Sequence, residues 1–284
     1  MIAWFGTGLL GAGFVRALRR RGEDVRVWNR TPQKARSLQA DGAQVAADPA
    51  DAACGAKRIH LTLSDDDAVD DVLERARAGF ACDVAIVDHT TTSASGAAER
   101  VARWDARGIP FLHAPVFMGP QNALESSGTM LASGARDRFD ALRPALEPMT
   151  GQLLYLGAQP NRAAAFKLMG NLFLTFVTAG LTDVLALAKA LGLAPHEAVS
   201  LFDFFNPGAV IPARAARLIG GDFDHPSWEL TMARKDVRLM LDEAQRAGSD
   251  LVALPAIAAK MDELIERGYG ASDWTVMAKD ALPA

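Results

Sequence analysis

Lys167 and Asn171 stand four residues apart in a stretch otherwise almost free of charge. In a helix that spacing is one turn, so both side chains fall on one face. Burial among apolar neighbours lowers a lysine pKa toward the range useful for proton transfer, and a lysine so placed is a candidate general acid or base. Asn171 could donate a hydrogen bond to the same substrate oxygen or hold the ammonium in place. The spacing is also compatible with a lysine snorkelling to the helix surface beside a packed Asn.

A second constellation lies near residue 1. The apolar run Ile2-Ala3-Trp4-Phe5 is followed at once by Gly6-Thr7-Gly8-Leu9-Leu10-Gly11, and Gly13 to Arg21 reads as an amphipathic helix. In a dinucleotide site Gly6 makes the tight turn, Gly8 lets backbone approach a pyrophosphate and Gly11 lets helix pack on strand. The helix N-terminus offers unpaired N–H groups and a positive dipole end to phosphate, and Leu9 and Leu10 of the glycine segment are candidate cofactor contacts with the three glycines.

The next strand, Val25 to Trp28, ends in Asn29-Arg30-Thr31. An NAD site usually carries Asp or Glu here, about 20 residues after the glycines, to hold the ribose 2′-hydroxyl. No carboxylate occupies these positions, and Arg30 supplies a planar, permanent cation for a 2′-phosphate, with Thr31 and Lys34 in support. NADP is the expected cofactor. Thr31-Pro32 also reads as an N-cap followed by Pro at the first helical position.

The elements that must position these groups alternate through the first half. Arg58–Leu63 reads as a strand followed by a helix over Asp65–Arg77, whose leading aspartates suit a helix start. Val84–Val87 precedes a helix near Ser93–Arg107, and Ile109–His113 is another strand. Two more strands, near Met130–Ser133 and Leu153–Leu156, flank an Arg- and Glu-rich helix. Strands separated by helices predict an α/β, doubly wound parallel sheet.

From about Gln159 the pattern becomes helical. Ala163 to Leu191 reads as one long helix with almost no polar stripe, expected to be buried on most sides. Further helices fall near Pro195–Phe205, Pro212–Gly220, Thr231–Ala247 and Pro255–Gly268. Residues 1–158 are therefore expected to form a Rossmann domain and 159–284 a helical substrate and oligomerisation domain.

Bulk properties narrow the function classes. A net charge of −4 on 284 residues gives no basic field for nucleic acid or anionic membrane. Cys54 and Cys82 form no CxxC pair, and the five histidines show no metal-binding spacing, so a reduced cytoplasmic compartment and no metal are expected. No basic segment precedes the first strand, so no signal peptide is expected. The longest charge-free apolar stretch, Leu168 to Thr182, is shorter than the roughly 18–20 residues of a membrane span.

Four ordered blocks resemble the β-hydroxyacid dehydrogenase family, which includes 3-hydroxyisobutyrate dehydrogenases and glyoxylate and succinic semialdehyde reductases. They are Phe5–Gly11 running on to Val27–Pro32, His113-Ala-Pro-Val116 followed by Gly128-Thr-Met-Leu131, Lys167-Leu-Met-Gly-Asn171, and Lys235-Asp236. The resemblance implies Lys167 as catalytic acid/base and Asn171 as its positioning partner. It places Leu63, Ser64 and Thr91 on cofactor loops and brings Lys235 to the cofactor from the helical domain. A strand end, a helix cap in the threonine run and a solvated lysine are the simpler accounts of those positions.

The chain departs from the family where Ser-Gly-Gly should follow Pro-Val. Phe117-Met118-Gly119 stands there instead, in the turn that binds a substrate carboxylate in the family. Gly170 replaces the first Asn of a pair, and His113 replaces an Asp, read as a structural exchange. The expected activity is NADPH-dependent interconversion of a carbonyl compound and its alcohol by a homodimer or homotetramer. Imine reduction and a non-catalytic NADP-binding role are the alternatives.

Overall fold

The computed structural model describes residues 1–282. Its first unit, Met1–Asn171, is built on a six-stranded sheet, and its second, described over residues 172–282, is helical. In chain order the first unit holds β1 (Ile2–Phe5), α1 (Leu9–Arg20), β2 (Val25–Trp28), α2 (Pro32–Arg36), β3 (Gln44–Val45), α3 (Pro49–Ala53), β4 (Arg58–Leu61), α4 (Asp66–Ala76), β5 (Ala85–Asp88), α5 (Ala94–Asp105) and β6 (Phe111–His113). These six strands run parallel in the order β3-β2-β1-β4-β5-β6. The order reverses between β1 and β4, and ligands bind at such a switch point, beyond the carboxyl ends of the strands.

Local chemistry explains most boundaries. Asp65 caps α4 by accepting the Ala68 N–H at 2.8 Å, and Ser93 caps α5 by accepting the Gly96 N–H at 3.0 Å. The cap of α5 is thus Ser93, which removes that role from Thr91. Helix α1 starts at Leu9, four residues earlier than expected, because Gly11 sits inside its first turn rather than ahead of it.

The strands near residues 130 and 153 do not extend the main sheet. Residues β7 (Val116–Phe117), β8 (Thr129–Ala132) and β9 (Gln152–Tyr155) form a separate small sheet with β7 antiparallel, and α6 (Pro120–Glu125) and α7 (Arg136–Leu146) complete the unit. Two apolar layers cover the large sheet. One joins Trp4, Phe14 and Leu18 to Met130 and Phe139, and the other joins Phe5, Ile59 and Leu73 to Trp104.

A layer of buried polar groups lies between β4, β5 and β6. The Ala114 carbonyl can only accept, so His89 donates from Nδ1 at 2.7 Å, and its Nε2 then accepts from His60 Nδ1 at 2.9 Å. Trp4 stacks on His60 with centroids 5.0 Å apart. Arg100, fully buried, pairs with Asp66, with Asp70 at 3.1 Å and with Asp88 at 3.9 Å. Burial, helped by repulsion from Arg103, pushes the Arg100 pKa down to about 10, so it remains a cation at neutral pH. His113 is buried 3.4 Å from Asp88, in keeping with a structural exchange.

Helix α8 (Arg162–Ala190) runs from the first unit into the second, which adds α9 (Pro195–Phe204), α10 (Ile211–Gly220), α11 (Leu230–Arg246) and α12 (Leu254–Leu264). The core of the second unit gathers Leu230, Val237, Met261, Leu264 and Val276. Asp183 of α8 accepts the N–H groups of Ala253 and Leu254 at 3.0 Å each, capping α12. Asp273 is desolvated, yet hydrogen bonds from Thr275 and Ser227 hold its carboxyl well below the usual range.

The expected burial of α8 is not met. Only 6% of its most apolar 18-residue window is covered, and Leu172, Phe173, Leu174 and Phe176 are exposed. Its 29 residues span about 44 Å, more than the width of a small domain core, so the chain's own elements leave most of its surface open. By length and composition alone this helix could cross a membrane.

The buried histidines make stability pH-dependent. Burial is the main cause that lowers His89 to about 4 from an ordinary value of 6.5, and it lowers His60 well below that value. Below pH 6.5 the unfolded chain takes up protons that the folded chain refuses. Resistance to urea should therefore be full above pH 6.5 and fall as the pH drops toward 4, by about 3 kcal/mol for His89 alone. His89→Asn, which keeps a donor and an acceptor, should flatten that slope. Equal slopes in the two proteins would show that the pH dependence comes from groups other than His89.

Candidate functional site

The carboxyl ends of β1, β2 and β4 surround the glycine turn. Gly6 has φ +88°, and a Cβ there would lie 2.2 Å from the Thr62 carbonyl oxygen. A Cβ on Gly11 would lie 2.1 Å from the Gly6 carbonyl oxygen and 2.4 Å from Thr62 Oγ1. Both glycines are thus required for the close approach of α1 to the sheet. Around Gly8 there is open space, as a backbone that meets phosphate requires. No side chain caps α1, and Leu9 is 82% exposed beside its free end.

Thr62 and Trp4 complete this turn, and neither was evident from the sequence. Trp4 Nε1 donates to Thr62 Oγ1 at 2.9 Å, and Thr62 Oγ1 donates to the Gly6 carbonyl at 2.6 Å. Asn29 bridges from the end of β2. Its Oδ1 accepts the Thr7 N–H at 2.9 Å and its Nδ2 donates to the Thr31 carbonyl at 3.0 Å. Its amide braces the turn, leaving Arg30 as the cation of this segment.

A cleft of about 320 Å³ opens beside that segment, lined by Trp28, Arg30, Thr31, Lys34, Ser64 and Arg75 among others. Arg30 is exposed and forms no ion pair or hydrogen bond among the described residues. Thr31 occupies the cap position of α2 but makes no cap bond with its side chain. Arg75 was also missed; it lies 5.1 Å from the centre of the Trp28 ring, a cation–π pair that no sequence spacing announces. Asp71 lines the same cleft, with its charge matched by Arg75 at 3.2 Å.

A second cleft, about 280 Å³, continues past the N-terminus of α1 and is lined by Leu9, Leu10, Leu63, Ser64, Thr90 and Thr91 among others. Leu63 donates its N–H to Thr90 Oγ1 at 3.0 Å, which fixes the loop after β4 to the loop after β5. Asp88 in turn accepts the Thr90 N–H at 2.9 Å. The six sequence-selected positions Gly6, Gly8, Leu9, Leu63, Ser64 and Thr91 therefore meet on one edge of the sheet. The uncapped helix end, the open backbone at Gly8 and the exposed Arg30 fit a dinucleotide carrying a 2′-phosphate.

Lys167 is positioned by the small sheet. Ser133, just after β8, accepts the Ala163 N–H at 2.9 Å and ties the start of α8 to that sheet. One turn later the Lys167 ammonium stands 4.4 Å from the centre of the Phe117 ring, on the antiparallel neighbour of β8. Lys167 makes no ion pair or hydrogen bond among the described residues, and burial lowers its pKa. Asn171 lies one turn further along the same helix.

Phe117 reaches Lys167, while Met118 packs against the main core and over Gly128. The Gly119 N–H is occupied by Asn122 Oδ1 at 2.9 Å, another partner that the sequence reading missed. Lys235 belongs to α11 of the second unit, where it is exposed and 2.8 Å from Asp236.

The chain is similar to known proteins along its whole length. Residues 1–157 match the NAD-binding domain of 6-phosphogluconate dehydrogenase, and residues 162–280 match the NAD-binding domain of NADP-dependent 3-hydroxyisobutyrate dehydrogenase. An uncharacterized oxidoreductase of Shewanella frigidimarina is 30% identical over 92% of this chain and 90% of its own. The 3-sulfolactaldehyde reductase of Escherichia coli is 26% identical over 97% of this chain and 94% of its own. The solved structure of a Streptomyces aurantiacus imine reductase superposes with a TM-score of 0.89 at 26% identity, over 99% of both chains. The chain belongs to the β-hydroxyacid dehydrogenase family and is an NADP-dependent oxidoreductase acting on the CH–OH group of small molecules.

Proposed function

We propose that the protein reduces an apolar aldehyde or ketone to its alcohol, with Lys167 as the proton donor. The observation that carries this reading is a half-buried lysine with no ion pair among the described residues, seated on an aromatic ring. Gly6, Gly8, Leu9, Leu10 and Gly11 would hold the pyrophosphate, Arg30 and Thr31 the 2′-phosphate, and Leu63, Ser64 and Thr91 the nicotinamide half. Lys235 is the candidate contribution from the helical unit. NADPH, when bound, supplies the hydride. Lys167 Nζ delivers its proton to the substrate oxygen and recovers one from solvent, and Asn171 orients that oxygen. Desolvation makes the ammonium a better acid than a solvated lysine.

Imine reduction is the second reading. The 26% identity to the Streptomyces aurantiacus imine reductase and the aromatic ring at position 117 favour it, and Lys167 favours the carbonyl. NADPH oxidation against uncharged aldehydes, semialdehyde acids and cyclic imines separates the two. The apolar surface of α8, with Phe204 of α9 81% exposed, supports self-association as a homodimer or homotetramer, which sedimentation velocity tests.

Two substitutions test the assigned roles. Loss of a charge-assisted bond of about 1.5–3 kcal/mol means Arg30→Ala should weaken NADPH binding roughly 10- to 150-fold. NADH binding should hardly change, with Trp28 fluorescence as the reporter. Equal losses for both cofactors would remove Arg30 from the 2′-phosphate.

Lys167→Ala should lower kcat by about 10²–10⁴ with NADPH affinity near wild type. Lys167→Arg should not restore it, since a guanidinium keeps its proton near neutral pH. Wild-type turnover in a folded, NADPH-binding Lys167→Ala protein would transfer the role to another group.

A further inference from the structure

Phe117 and Gly170 are the two departures from the family pattern on either side of Lys167, and in space they are one feature. A Cβ on Gly170 would lie 2.3 Å from Phe117 Cζ and 2.6 Å from Cε1. The ring therefore occupies the notch that the missing side chain leaves in α8. Any residue other than glycine at 170 must move the ring, and the ring's face carries the Lys167 ammonium at 4.4 Å.

The same arrangement removes hydrogen-bond donors from the turn. Position 117 has no hydroxyl, and the Gly119 N–H is bound by Asn122 Oδ1, whose amide is itself fixed through Nδ2 to Ser127 Oγ at 3.1 Å. A substrate carboxylate brought to this turn would lose water and find neither a hydroxyl at 117 nor a free N–H at 119 to replace it. An uncharged group would meet a flat apolar surface.

We infer that Phe117, interlocked with Gly170, is a positioning and specificity residue: it seats the Lys167 ammonium and selects substrates whose group beside the reacting carbon is uncharged. The inference rests on the reading of Lys167 as proton donor, and deepens it by naming the substrate class. Cation–π attraction favours the ammonium over the amine, so the ring offsets part of the desolvation that lowers the Lys167 pKa. No charged side chain pairs with Lys167 among the described residues, and the ring lies against its ammonium.

The interlock is read first without turnover, from thermal or urea midpoints at one protein concentration. In a helix interior Gly→Ala normally favours folding, by about fivefold in the equilibrium constant. Gly170→Ala should instead lower the midpoint of the wild type and raise it in a Phe117→Ala background. A gain of equal size in both backgrounds overturns the interlock, whatever the protein's activity.

The role of the ring is then read from kcat/KM for NADPH-dependent reduction. Phe117→Leu keeps an apolar side chain and removes the π face. The alkaline limb of the profile, where Lys167 loses its proton, should move down by about half to one pH unit. An unmoved limb overturns the seating role. Phe117→Ser with Gly170→Ala, which returns a hydroxyl donor to the turn, should raise the ratio of kcat/KM for semialdehyde acids over uncharged aldehydes about tenfold or more. An unchanged ratio overturns the specificity role.

Discussion

The close approach of α1 to the sheet is the constraint from which the cofactor site follows. The helix can lie this near the strands only because Gly11 has no side chain to strike the Gly6 carbonyl, and because Gly6 adopts a left-handed φ. That approach aims the free end of α1 at the crevice between β1 and β4. Trp4 and Thr62 then fix the turn with two hydrogen bonds, one of them on the Gly6 carbonyl itself. A helix end with its N–H groups unpaired is stable only beside water or an anion. The same geometry that closes the packing therefore creates the phosphate site.

Behind that crevice, buried charge and buried imidazole replace what could have been plain apolar packing. Arg100 joins carboxylates from the start of α4 and the end of β5, and Asp88 in turn holds the Thr90 N–H. The loop after β5 is thereby tied to the loop after β4 through Leu63 and Thr90. Buried pairs of this kind contribute little net stability but are costly to break. Their effect is to hold two cofactor loops in one register, with the His60–His89 pair kept neutral by the same burial.

Lys167 depends on a different part of the fold. The start of its helix is tied to the small sheet by Ser133 Oγ, which accepts the Ala163 N–H, and its ammonium is met by a ring from a neighbouring strand of the same sheet. A lysine without a carboxylate partner keeps a proton that it can give away, since no ion pair raises its pKa. The apolar character of α8 supplies that environment along the helix, and leaves a broad apolar surface exposed on the single chain.

The sequence by itself determined whatever depends on short-range stereochemistry. The glycine turn, the strand and helix alternation, the missing carboxylate after β2 and the one-turn spacing of Lys167 and Asn171 are local, and a reader of residues finds them. Tertiary structure decided what depends on residues far apart in the chain. The split of β7, β8 and β9 into their own sheet turns on pairing between distant segments, and the Arg75–Trp28 and Trp4–Thr62 partners are separated by 47 and 58 residues. The length of α8 was legible, but its exposure was not, because an apolar helix reads the same whether its own chain or something else covers it. Phe117 and Gly170 were visible as two unrelated departures. Only the meeting of β7 with α8 shows that one fills the space the other leaves, since steric complementarity across a fold has no signature in sequence spacing.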